Sequence, residues 1–155
     1  MKPYADTNFF TRVYLELPES VKADQLLEKA RTGNSEPVPV TWIHRMELVN
    51  AFAISVWLSR QGGHPTVSPE QAAVALATFR DDLKDGEFLR LARPDTAKLE
   101  ALVEETALRH TARNGFRTYD ILHVAAAVIL GCDTFFSFDI RAKKLAELEG
   151  LTVAV

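Results

Sequence analysis

Tyr4-Ala5-Asp6-Thr7-Asn8-Phe9 and Phe135-Phe136-Ser137-Phe138-Asp139-Ile140 share one local pattern. In each, a short apolar run suited to a strand stops at an acid suited to open a helix. In an open parallel sheet all strand C-terminal ends lie on one edge, where ligands bind. Neighbouring strands of this kind would bring Asp6 and Asp139 together at that edge, with Ser137 close by. The ordinary alternative is that each acid is only a helix N-cap, worth about 0.5–2 kcal/mol.

Outward from these two stretches, strands and helices alternate. The sequence predicts a strand at 2–5, a helix from Asp6 through Leu15, and a second helix at 20–30 capped by Ser20. Residues 37–40 read as extended, and Thr41 caps a long helix through Arg60. Ser68-Pro69-Glu70-Gln71 carries Ser at the cap, Pro at the first helical position and Gln three residues after the cap. That helix ends near Asp85, before Gly86. A strand is expected at 88–91, then a helix from Asp95 to His110, with 113–117 as a Gly-containing loop. Thr118 is expected to cap a helix at 119–130, followed by a strand at 134–138, a helix at 139–149 and a last strand at 151–155. This order predicts an α/β domain with a mainly parallel sheet covered by helices on both faces. Arg31 to Pro39 and Gln61 to Pro69 are short enough to be loops within one domain, 1–155.

Two further acids stand on apolar helices. Asp120 lies in Thr118-Tyr119-Asp120-Ile121-Leu122-His123-Val124-Ala125-Ala126-Ala127, where only Asp120 and His123 interrupt an apolar surface and share a face. An acid in the first turn complements the helix dipole by about 0.3–1 kcal/mol. With Thr118 as the cap, however, a carboxylate here needs a partner or a metal. Glu47 sits in Ile43-His44-Arg45-Met46-Glu47-Leu48, on a stripe with Ile43, Ile54 and Leu58. Its ordinary alternatives are an exposed margin or a contact to His44.

Composition narrows the classes. The chain has 155 residues, 47% apolar and 25% charged, which excludes disordered, collagen-like and disulfide-scaffold types. The longest apolar run, Val124 to Leu130, is far short of the ~20 residues of a membrane span. No basic-then-apolar leader opens MKPYADTNFF, and Cys132 has no cysteine to pair with, so a cytoplasmic protein is expected. A net charge of −3 carries no global basic footprint, so any polyanion site must be local.

Taken together, Asp6-Thr7-Asn8 after a strand, Met46-Glu47-Leu48 in a helix, Tyr119-Asp120-Ile121 opening an alanine-rich helix and Phe136-Ser137-Phe138-Asp139 after a strand resemble the PIN-domain nucleases. Within that family the pattern is most similar to the VapC toxins of prokaryotic toxin–antitoxin pairs. The resemblance spans Tyr4 to Val155. It implies a three-layer α/β/α domain with a small, mainly parallel central sheet. Carried over by matching position, it implies an acidic quartet of Asp6, Glu47, Asp120 and Asp139, with Asn8 and Ser137 as accompanying polar residues. It further implies a metal-dependent endoribonuclease leaving a 5′-phosphate and a 3′-hydroxyl, a small cognate antitoxin, and a homodimer. The chain is longer than the compact toxins, with the excess near Gly62–Ser68 or in the helix after Pro69. Ser137 stands where Thr is also common.

The residue chemistry agrees with that expectation. Converging carboxylates repel one another unless a cation is present. Oxygen donors without a His or Cys cluster suit Mg²⁺ or Mn²⁺ rather than zinc. Asp6 and Asp120 are the expected firmest ligands, with Asp139 and Glu47 completing the set directly or through water. Arg109, His110, Arg113, Arg117, Arg141, Lys143 and Lys144 flank the two C-terminal acids. Of these, Arg113 and Arg117 are the candidates for RNA phosphates. The remaining readings are ordinary. His44 and His64 lack ligand spacing, and His123 is a satisfied core histidine or one that supports a ligand. Cys132 is a small buried side chain, and Trp42 and Trp57 belong to a core or an interface. Apolar side chains such as Trp57, Leu58 and Phe79 exceed what one core accommodates.

Two other classes remain open at this stage. A phosphotransfer domain would want a second Asp two residues after Asp6, where Asn8 stands, or adjacent acids after the first strand. A non-catalytic interaction module would normally have lost one of the four acids. A nuclease of the same fold outside toxin–antitoxin systems is the nearest alternative.

Overall fold

The structure is a computed structural model that describes residues 1–33 and 35–155. Its elements run β1 (Pro3–Ala5), α1 (Thr7–Tyr14), α2 (Ser20–Thr32), β2 (Val38–Val40), α3 (Trp42–Arg60), α4 (Pro69–Asp85), β3 (Leu89–Leu91), α5 (Thr96–Asn114), α6 (Thr118–Ile129), β4 (Thr134–Phe136), α7 (Ile140–Leu148) and β5 (Thr152–Ala154).

Every strand pairing is parallel. β1, β4 and β5 form one sheet, with Tyr4 opposite Phe135 and Ala5 opposite Phe136. β2 and β3 form a second. The expected single sheet is thus divided. At the seam the last carbonyl of β1, on Ala5, accepts from the Nε2 of His44 at 2.7 Å.

The period-2 alternation of strand side chains sorts the interior into two halves. Tyr4 and Phe135 stack with centroids 5.7 Å apart and pack with Ile121, Val124 and Leu145 on the α5–α6–α7 side. Ala5 and Phe136 face the other way, onto Phe9, Phe10, Leu48 and Phe79 on the α1–α4 side. The result is three layers, helices over both faces of a small parallel sheet. Each fully buried Phe or Leu contributes roughly 1.5–3 kcal/mol.

Helix ends follow the capping chemistry, with three local corrections. Ser68 accepts from the N–H of Gln71 as its sequence predicts. Ser20, by contrast, is the first residue inside α2. Its hydroxyl donates to the Leu15 carbonyl at 2.8 Å, and Glu19 takes the cap position. α5 continues past His110 to Asn114, stopping at Gly115 with φ 67°, so Arg113 stands in a helical last turn rather than a loop. Thr118 is inside α6 and Arg117 occupies the cap. Phe79 is buried in the core, whereas Trp42 and Trp57 are more than half exposed. No helix among the described residues is long and apolar enough to cross a membrane.

Candidate active site

The pairing of Ala5 with Phe136 sets Asp6 and Ser137 side by side at the C-terminal edge of the sheet. The Asp6 N–H donates to the Phe136 carbonyl at 3.1 Å, extending the strand contact by one residue. Ser137 Oγ–H donates to Oδ2 of Asp6 at 2.6 Å, and Ser137 Oγ itself accepts the Asp139 N–H at 2.9 Å. Asp6 Oδ1 accepts from the Phe9 N–H at 2.8 Å and caps α1. Asp139 Oδ1 accepts from the Arg141 N–H at 2.7 Å and caps α7. Capping and convergence therefore coexist in both acids.

Burial is the main force on the Asp6 carboxyl, pushing it up to about 6, and the Asp139 charge adds to it. His123, Ser137 and the Phe9 N–H pull the other way. Burial also raises Asp120, again with the Asp139 charge adding. Against this act the Arg117 N–H, 3.2 Å from Asp120 Oδ2, and the charges of Arg117 and Arg141. Glu47 differs. Burial would raise it, but His123 and Thr7 outweigh that and hold it below the ordinary glutamate range. Its Oε2 lies 2.6 Å from His123 Nε2 and accepts the Thr7 hydroxyl at 2.7 Å.

Strand edges supply Asp6 and Asp139, and α6 supplies Asp120 one turn before His123. All three are oxygen donors, and in Asp6 and Asp120 burial disfavours the ionised form unless a counter-charge is present. A model of the PIN domain matches residues 4–148. The chain belongs to the PIN domain family.

Solved structures give this PIN domain the same fold. VapBC2 of Rickettsia felis, bound to a DNA fragment from its promoter, superposes with a TM-score of 0.66 at 17% identity, covering 99% of this chain and 98% of that one. VapC20 of Mycobacterium tuberculosis, a sarcin–ricin-loop-cleaving toxin, gives 0.63 at 20% identity over 92% and 94%. VapBC-1 of nontypeable Haemophilus influenzae gives 0.61 at 13% identity over 99% and 97%. No curated protein matches the chain.

The donor chemistry of this PIN domain fits a hard divalent ion. Among the described residues, no three His, Cys, Asp or Glu side chains stand close enough to enclose an ion. An ion here would therefore be held by one or two carboxylates and several waters, the way Mg²⁺ is commonly bound. Two residues from Asp6, Asn8 Oδ1 is buried without a hydrogen-bond partner among the described residues. Such an acceptor costs roughly 1–3 kcal/mol unless something satisfies it.

Arg113 and Arg117 are exposed and, among the described residues, form no ion pair. Arg117 and Arg141 are the two whose charges reach Asp120. Three other members of the basic group are engaged elsewhere. Arg109 pairs with Glu105 and Glu149, His110 meets Glu149 at 2.8 Å, and Lys143 donates to the Val155 carbonyl at 2.6 Å. Thr7 and His44 escaped the sequence reading of the site. Thr7 is adjacent to Asp6, so its position was the available signal. His44 offered only its place one turn before Glu47.

Proposed function

We propose that this PIN domain is a metal-dependent endoribonuclease, the toxin of a toxin–antitoxin pair, that hydrolyses RNA phosphodiester bonds. Asp6 and Asp120 hold Mg²⁺ or Mn²⁺, with Asp139 and Glu47 completing the site directly or through water. The observation that carries this reading is the β1–β4 register, which sets Asp6 beside Ser137 and, through its hydroxyl, beside the Asp139 backbone at the C-terminal sheet edge. Burial and the Asp139 charge raise both Asp6 and Asp120, a combination that a divalent charge relieves. A bound Mg²⁺ supplies Lewis acidity toward a phosphoryl oxygen and makes its bound water a better nucleophile. Around it, Ser137 orients Asp6, Asn8 offers a free acceptor oxygen, and Arg113 and Arg117 hold the RNA backbone.

A protein partner is supported by the exposed face of α3. Trp42, Met46, Val49 and Trp57 lie at helical spacing along it, each close to half exposed or more. Beside it a cavity of about 460 Å³ lies between α3, α4 and β3, lined by Val49, Leu76, Phe79 and Leu83 with Arg45 and Arg80 at its margin. These surfaces fit a homodimer and a small antitoxin in the cytoplasm.

The deciding experiment is incubation with a panel of RNAs in Mg²⁺, Mn²⁺ or EDTA. Cleavage is expected with either metal, none in EDTA, and none by Asp120→Asn. Undiminished cleavage by folded Asp120→Asn protein overturns the assignment.

A further inference from the structure

Two buried histidines and a buried tyrosine stand behind Glu47, and the reading above gives none of them a task. His44 is fixed first. Its Nδ1 accepts the Thr41 N–H at 2.9 Å, so its Nε2 carries the proton and donates to the Ala5 carbonyl at 2.7 Å. This one ring ties the start of α3 to the end of β1, immediately before Asp6. Glu47 lies three residues further along α3, on the same side.

His123 meets that glutamate from α6. An ionised carboxylate only accepts, so the 2.6 Å contact is a donation from His123 Nε2–H to Glu47 Oε2. The Thr7 hydroxyl donates to the same oxygen from α1. On the far side of the imidazole, Nδ1 lies 3.0 Å from the Tyr4 hydroxyl, and the Tyr4 ring is immobilised by its stack on Phe135. The His44 and His123 rings pack with centroids 4.7 Å apart. Two elements, α1 and α6, thus donate to one carboxylate oxygen carried by a third, α3. Oε1 has no hydrogen-bond partner among the described residues, and the Glu47 side chain is a quarter exposed.

We infer that His123 is a positioning residue, which with Thr7 clamps Glu47 Oε2 so that Oε1 is the oxygen presented to a divalent cation or its waters. The inference rests on reading the acids as a metal site. A glutamate free to rotate loses side-chain entropy when an ion fixes it. The network fixes it before the ion arrives, as partners behind metal ligands generally do. A purely structural His123 would satisfy Tyr4 and fill space without influencing an ion.

The test measures Mn²⁺ binding to RNA-free protein by the paramagnetic resonance of unbound Mn²⁺, alongside thermal melting. His123→Leu is expected to weaken Mn²⁺ binding about tenfold. His123→Asn, too short to reach Glu47, should match it and serves if the leucine variant does not fold. His123→Gln, whose amide N–H can reach Glu47, should restore most of the affinity. In a Glu47→Gln background the His123 substitution should add little, because the two residues act as one unit. Wild-type affinity in folded His123→Leu or His123→Asn overturns the inference, as does an equal loss in the Glu47→Gln background. Wild-type protein that binds no Mn²⁺ overturns the metal reading itself, and the inference with it.

Discussion

Ser137 and Asp6 are joined by a 2.6 Å hydrogen bond in which the serine hydroxyl donates and the carboxylate accepts, and the same hydroxyl oxygen receives the Asp139 N–H. One fully buried hydroxyl therefore links the carboxylate that follows β1 to the backbone of the acid that follows β4. Their separation of more than 130 residues in sequence is closed by a strand register and one side chain.

Ser137→Ala removes a donor that favours the ionised Asp6 and strands the Asp139 N–H. The Asp6 carboxyl should then rise above its already elevated value of about 6. The acid side of the pH–rate profile for metal-dependent RNA cleavage is expected to move to higher pH. Stability should fall by roughly 1–3 kcal/mol, the cost of an unsatisfied buried group. Cleavage rates from pH 5 to 9 check the first expectation and urea melts the second.

Asp6 also sets a stability dependence on pH. Its carboxyl is raised from 3.8 to about 6 by folding, so the folded state favours the neutral form. The stabilisation is complete below the unfolded value and is lost as pH rises through the folded one. At pH 8 the ionised group is a liability on the order of 2–3 kcal/mol. Asp6→Asn keeps the cap to Phe9 through its amide oxygen and carries no charge. Without metal it is expected to melt higher than wild type at pH 8 and nearly level with it at pH 4. Saturating Mg²⁺ should stabilise only the wild type.

The sequence carried the strand–acid–helix junctions at Asp6 and Asp139 because each is local: an apolar triplet, an acid, a helix. It also carried the caps at Ser68 and Asp95 and the two-faced cover of the sheet. The division of the sheet was not legible, and neither was the contact at its seam, where His44 reaches the Ala5 carbonyl across 39 residues. The cap of α6 was misplaced by one residue for a local reason. Arg117, not Thr118, occupies the cap, and Asp120 accepts its N–H, so part of that acid's environment is ordinary capping. Glu47 was assigned a stripe with Ile54 and Leu58, whereas its real partners, His123 and Thr7, come from α6 and α1. Periodicity identifies which face a residue occupies and leaves open what stands opposite.

The apolar face of α3 makes an oligomer test simple. Trp57 is 59% exposed, so Trp57→Glu removes little packing from the monomer, and its effect on monomer stability should stay within about 0.5 kcal/mol. The same charge placed in a covered interface is costly. Light scattering at micromolar concentration is expected to show a dimer for wild type and a monomer for the variant. A wild-type monomer, or a dimer unaffected by the substitution, removes α3 as the interface.

Arg117 distinguishes substrate contact from support of the carboxylates. Its backbone N–H, not its side chain, holds Asp120, so Arg117→Ala preserves that hydrogen bond. Its guanidinium is exposed and its charge reaches Asp120, which places a cation beside the acids without tying it to them. A guanidinium cannot ligate Mg²⁺ but pairs well with phosphate oxygens. Arg117→Ala is therefore expected to weaken binding of every RNA tested and to reduce the slope of log affinity against log salt by roughly one counterion. Mn²⁺ affinity without RNA should hold or rise slightly, because a positive charge that opposed the ion is gone. Arg113, in the last turn of α5 and equally exposed, should behave the same way with a smaller effect, as no charge from it reaches Asp120. An unaltered salt slope combined with failed Mn²⁺ binding would make Arg117 a structural partner of the carboxylates and move the RNA path elsewhere.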